Sequence, residues 1–119
     1  MYQKLIIIGN LGSDPEMRYT PAAKAVTTFS VAVNNRDETM WVRVSAWEKL
    51  AETCNQYLRK GSKVLVEGRL RPDESGNPTV YQRKDGSWGA SYEVTAETVR
   101  FLTPKGEENG AAVDEDVPF

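Results

Sequence analysis

The chain has 119 residues, 27% of them charged and 39% hydrophobic, and a formal net charge of −2 at pH 7. That length suits one core of ordinary size with a tail and is too short for two domains. A single cysteine, Cys54, excludes an internal disulfide and a cysteine-based zinc site, and the lack of histidine removes the commonest general base and metal ligand. With no Walker-type glycine loop and no metal-ligand spacing, the chain is expected not to be an enzyme and to need no cofactor or metal.

The first apolar run, Leu5 to Ile8, is too short for a signal peptide or a membrane span, so a soluble, cytoplasmic protein is expected. It belongs to the first of five principal strands, "KLIIIGNL"; the second is "AVTTFSVAV", and "NNRDETM" reads as a short loop leading to the third.

The third strand, "MWVRVSAW", is the informative one. Alternation places Val42, Val44 and Ala46 on one face and Trp41, Arg43, Ser45 and Trp47 on the other. Aromatics interleaved with a cation on an outer face are what single-stranded nucleic acid needs, because every base has a π-face to stack. The same pattern also fits tryptophans buried in an asymmetric barrel or at a subunit interface.

Next, "EKLAETCNQYLRKG" carries Leu50, Cys54, Tyr57 and Leu58 at helical spacing, with Arg59 and Lys60 in the last turn and Gly61 to end it. Cys54 reads as a small buried hydrophobe on the inner face. The fourth strand is "KVLVEGRLR". After the turn cluster "RPDESGNP", an Asp85-Gly86 pair flanked by short runs predicts a projecting β-ribbon. A two-residue turn there would set Arg83 opposite Trp88, with the guanidinium on the indole. The fifth strand is "YEVTAETVRFL".

From about Lys105 the chain loses periodicity, which predicts disorder. Residues 107–119 hold five acidic and no basic residues, so the preceding body carries 15 basic against 12 acidic groups. A mildly basic body thus bears an acidic tail, divided as a domain over 1–104, a short linker over 105–113 and an acidic tip over 114–119. The order of elements predicts an all-β, five-stranded oligonucleotide-binding (OB) Greek-key barrel, with one short helix between the third and fourth strands.

Further cations lie on or near the strand and ribbon that carry Trp41, Trp47, Tyr81 and Trp88. They are Arg18, Lys49, Arg59, Lys60, Lys63, Arg69, Arg71, Arg83 and Lys84. Among these, Arg18, Lys49, Arg59, Lys60, Arg71 and Arg83 join Trp41, Arg43, Trp47, Tyr81 and Trp88 as the candidate single-stranded-DNA contacts.

The stretches "GNLGSDPEMRY", "YLRKG", "VEGRL" and "DEDVPF", in this order, resemble those of bacterial-type single-stranded DNA-binding proteins. The resemblance spans about Tyr2 to Leu102 and returns at the terminus. It implies an OB fold assembled as a homotetramer that wraps single-stranded DNA without sequence preference. It also implies roles in replication, recombination and repair, close to the nucleoid. Trp41 and Trp47 fall where that family places stacking aromatics, and Arg18, Arg43, Lys49, Arg59 and Lys60 match its basic positions.

The chain departs from the family pattern in its short "NNRDETM" loop, in the lack of an aromatic at the end of strand two, and in its short linker. Tyr81 or Trp88 on the ribbon is the candidate substitute platform. The terminal Asp114, Glu115, Asp116, Val117, Pro118 and Phe119 combine a carboxylate, an apolar anchor and acidic neighbours, a form suited to capture by partner proteins. An OB-based protein-interaction module and an RNA-binding OB protein are the competing readings; comparing DNA with RNA oligomers separates the second from DNA binding.

Overall fold

The computed structural model describes residues 2–102. The linker and acidic tip expected over 105–119 lie outside the described residues.

Seven strands and one helix follow in the order β1 (Leu5–Leu11), β2 (Glu16–Tyr19), β3 (Ala25–Asn35), β4 (Glu38–Trp47), α1 (Glu48–Tyr57), β5 (Lys63–Leu70), β6 (Thr79–Gln82) and β7 (Trp88–Phe101). Five of them close a barrel: β1 pairs with β5, β5 with β7, β7 with β4, β4 with β3, and β3 returns to β1 at Asn10–Ala32 and Leu11–Val31. The β4–β7 pairing is parallel and the others are antiparallel. The expected OB barrel is therefore present, with its helix between β4 and β5.

Alternation fills the interior. Val31, Val44, Val64 and Val66 are fully buried, and Phe29, Val42 and Val94 nearly so, because β-branched residues at every second position pack on a pleated surface. At Gly68, β5 shifts register between Glu67 and Gly68, and a Cβ there would lie 3.1 Å from the Ala96 α-carbon. Glycine permits the close approach that bends the strand around the barrel.

The helix covers one end of the barrel with Ala51, Cys54 and the following Leu58, all buried. Thr27 of β3 pins it, its hydroxyl donating to the Ala51 carbonyl at 2.7 Å.

Several sequence expectations need correction. "NNRDETM" is mostly strand: Asn34 pairs with Thr39 and Asn35 with Glu38, leaving only Arg36 and Asp37 as the turn, with Arg36 at φ 56. A two-residue turn continues the ladder, and the polar composition hid it. The motif "EMRY" is an additional strand outside the five of the barrel, β2, pairing with β3, and is too short to show periodicity.

The helix ends at Tyr57, so Arg59 and Lys60 lie beyond it, and Tyr57 is exposed. Leu58 turns extended at ψ 149, and Gly61 takes the positive φ of 90 in the following turn. No loop separates β4 from α1, and the corner is made by Glu48 at φ 57. Among the described residues, no helix is long and apolar enough to cross a membrane.

Candidate nucleic-acid interface

Cross-strand registers decide which side chains share a face. On the outer side of the barrel, Arg18 of β2, Val26 of β3 and Trp47 of β4 stand in one row. A second row runs Ser30, Arg43, Glu93, from β3 through β4 to β7, and Arg71 joins it by donating its backbone N–H to the Glu93 carbonyl at 2.8 Å. A third holds Ala32 and Trp41. Two tryptophans and an arginine of β4 therefore share one surface with Arg18 and Arg71, which come from distant parts of the chain. The partition expected for β4 holds, but of the outer set only Trp41, Arg43 and Trp47 are exposed, and Ser45 is buried between Thr28 and Thr95 in the flanking strands.

Glu93 is the buried acid of this surface. Its carboxylate accepts from Arg71 at 2.8 Å and from the Ser91 hydroxyl, and Arg43 lies 3.9 Å away. Glu93 itself is only 7% exposed, while both arginine side chains are about half exposed. A buried carboxylate needs such partners, and it in turn holds two flexible cations near the outer face. Arg18 pairs with Glu16 at 3.1 Å with both side chains more than half exposed, a contact of little energetic weight.

The connection between β1 and β2 borders this surface. Gly12 lies under the Trp41 indole, and a shallow depression is lined by Ser13, Asp14, Pro15 and Arg43 among others. This connection and the end of β1 together hold the turn after the helix. Asn10 donates to the Gly61 carbonyl at 3.1 Å, and the Lys60 backbone N–H donates to Asp14 at 2.8 Å. Exposed Lys60 is thereby placed next to the loop that borders Arg43. The Arg59 guanidinium donates to the Leu58 and Gln56 carbonyls, at 2.7 and 3.3 Å, and so closes the helix end. Lys49 is exposed in the first turn of α1, two residues after Trp47.

The ribbon differs from its expected geometry. Arg83 N–H donates to the Ser87 carbonyl and Gly86 N–H to the Arg83 carbonyl, so the turn is a three-residue one, with Gly86 at φ 93. One extra residue shifts the register: Gln82, not Arg83, stands opposite Trp88. The Arg83 guanidinium instead lies 5.5 Å from the Tyr81 ring centre and donates to the Trp88 carbonyl at 2.6 Å. Asp85 locks the turn by accepting from the Ser87 hydroxyl and N–H, at 2.7 and 2.9 Å, and these bonds hold its carboxyl below the usual range.

Tyr81 stands opposite Gly89, and alternation along β7 carries that face through Ser91 to Glu93 and Arg43. Trp88 belongs to the opposite face, with Ala90 and Tyr92. The four sequence-predicted aromatics are all solvent-accessible: Trp41 is 53%, Trp47 37%, Tyr81 44% and Trp88 66% exposed.

Tyr92, not singled out in the sequence, is also exposed and lines a groove of about 900 Å³ with Trp41, Met40, Val33 and Ala90. It opens the run "YEVTAETVRFL" in the sequence, and β7 in fact begins earlier, at Trp88, so that Tyr92 directly follows the part of the strand paired with β6. Glu93 carried no local signal either, since its partners Arg43 and Arg71 lie on other segments, and Gly12 was legible only as part of the motif "GNLGSDPEMRY".

A closed OB barrel whose outer face alternates exposed aromatics with arginines defines a class of single-strand nucleic-acid binders. The chain belongs to the single-strand binding protein family, whose model matches residues 2–102. It is 37% identical over 125 residues to the single-stranded DNA-binding protein of Wolinella succinogenes, spanning 98% of this chain and 74% of that one. It is 38% identical over 122 residues to that of Neisseria meningitidis serogroup A, spanning 95% and 67%. With the single-stranded DNA-binding protein 2 of Listeria innocua it shares 36% over 118 residues, spanning 93% and 70%.

Proposed function

We propose that this chain binds single-stranded DNA without reading its sequence, by stacking bases on Trp41, Trp47 and Tyr81 while arginines meet the phosphates. The observation that carries this is the shared outer face of Trp41, Trp47, Arg18, Arg43 and Arg71, with Tyr81 and Arg83 on its ribbon extension. Trp88 and Tyr92 offer stacking surface on the ribbon's other side, and Lys49, Arg59 and Lys60 add charge at the ends of α1.

Base–aromatic stacking is worth ~1–3 kcal/mol per base, a value measured on proteins that include this family and taken over for this chain. Each phosphate neutralised adds about 0.7 to the slope of log affinity against log salt. The proposed role is binding, with no covalent step, in service of replication, recombination and repair in the cytoplasm near the nucleoid; membership of the single-strand binding protein family supports the DNA-binding part of this reading.

The pairing of β1 with β3 covers only Asn10 and Leu11, so Leu5–Ile8 present one ladder edge with no strand beside it among the described residues, and Ile6 is exposed there. An open edge beside an apolar side chain suits self-association, and a homotetramer would raise avidity by repeating the DNA site. In this reading the tip Asp114–Phe119 recruits partner proteins, its acidic residues standing before an apolar anchor.

Fluorescence titration with oligo-dT, oligo-rU and duplex DNA at several salt concentrations tests the reading. The DNA oligomer should bind tightest, quench tryptophan emission and lose affinity with salt, and Trp47→Ala should weaken it. Unchanged affinity and quenching in Trp47→Ala would refute the reading, and tighter oligo-rU binding would favour RNA. Deleting Val117–Phe119 should leave oligo-dT affinity intact while abolishing co-precipitation of replication and repair enzymes.

A further inference from the structure

We propose that Gly12 and Gly89 are positioning residues that seat the rings of Trp41 and Tyr81 for base stacking; this rests on the reading of those rings as stacking platforms. A Cβ on Gly12 would stand 2.7 Å from Trp41 Cη2 and closer still to Cζ3, so the six-membered ring of the indole lies directly against the Gly12 α-carbon. A Cβ on Gly89 would stand 2.6 Å from Tyr81 Cε1, 2.8 Å from its Cζ and 2.6 Å from Arg83 Nη2. Real Cβ atoms essentially never come under 3.0 Å, so any larger residue moves the ring.

Backbone conformation does not explain these glycines. The described glycines with positive φ are Gly61, Gly76 and Gly86, and Gly12 and Gly89 are not among them. What they provide is space beneath an aromatic ring.

Both seats are anchored. Gly12 donates its N–H to the Ser30 carbonyl at 3.0 Å, and the Leu11 N–H beside it donates to Ser62 at 2.9 Å. Gly89 sits in the β6–β7 ladder opposite Tyr81, whose ring also lies beneath the Arg83 guanidinium. The 53% exposure of Trp41 fits one covered face and one open to the groove it shares with Tyr92. A ring held from behind loses little freedom when a base arrives, whereas a free ring must be immobilised first, which costs about two- to tenfold in affinity.

The test uses Gly12→Ala and Gly89→Ala in the full chain, titrated with oligo-dT. Each should weaken binding about two- to tenfold with the thermal unfolding midpoint nearly unchanged. Gly12→Ala should cost nothing further in a Trp41→Ala chain, nor Gly89→Ala in a Tyr81→Ala chain. With Trp47 and Trp88 replaced by Phe, Trp41 is the sole tryptophan, and Gly12→Ala should raise its quenching by acrylamide as the covered face opens.

Equal losses with and without the ring would overturn the proposal, because the glycine would then act on the fold. If Trp41→Ala and Tyr81→Ala weaken binding but the glycine variants do not, the seats fail and the platforms stand. If removing the rings costs nothing, platform and seat fall together. The ribbon pair lies outside the barrel, so its cycle decides the matter even if Gly12→Ala prevents folding.

Discussion

Asp14 accepts a hydrogen bond from the Lys60 backbone N–H at 2.8 Å, joining the β1–β2 connection to the turn after α1 across 46 residues of sequence. Both residues are exposed, so the bond's value is structural: with Asn10–Gly61 it fixes the loop that supports Trp41 and borders Arg43. Asp14→Ala should lower unfolding stability by about 1 kcal/mol. Urea denaturation with an unchanged m-value would check this, and Asp14→Asn should restore part of the loss.

Glu93 is buried between Arg43 and Arg71 on the face proposed for DNA. Removing it leaves two cations without their shared partner and the Ser91 hydroxyl without its acceptor, so Glu93→Ala should destabilise the fold by about 1–3 kcal/mol. The same change removes a negative charge beside the phosphates. Oligo-dT affinity of the folded variant should therefore rise at low salt, and the gain should shrink as salt screens it. Weaker binding at low salt would mean that Glu93 acts chiefly by holding the arginines in place.

Burial pushes the Cys54 thiol up from 9.0 to about 11. A raised folded pKa means that the contribution to stability is complete below about pH 9 and is lost as pH rises through about 11, because the unfolded chain gives up its proton first. Denaturation curves of the parent chain and Cys54→Ala should therefore converge between these values. At neutral pH the thiol should resist alkylation in the native protein and react only on unfolding.

Thr27 is fully buried, and its hydroxyl donates to Ala51. Thr27→Val keeps the shape and deletes that bond, which should cost about 1 kcal/mol, read as a lower denaturation midpoint. Affinity for oligo-dT should not change, since the side chain points into the barrel.

Much of the fold was legible because binary patterning is a local property. The alternation in "MWVRVSAW" separated Val42 and Val44 from Trp41, Arg43 and Trp47 without any knowledge of neighbouring strands, and the barrel follows from five such runs with a helix among them. The strand β2 and the tight turn at Arg36–Asp37 were not legible, since four residues show no period and polar residues conceal a ladder whose partner lies across the turn. On the ribbon, one residue of turn length decided whether Arg83 met Trp88 or Tyr81, and "KDGS" fits both lengths.

What the sequence by itself determined is the inventory: which residues face the core, that the β4 aromatics and Arg43 point away from it, that catalytic groups are scarce, and that charge is divided between body and tail. Only the tertiary structure decided the assembly. Arg18, Arg43, Arg71 and Tyr81 come from four separate segments, and their common face is a consequence of strand register, which depends on pairings between residues far apart in the chain. The same holds for Glu93 between its arginines and for Gly12 beneath Trp41: each is an ordinary residue until the barrel closes and brings a distant side chain against it.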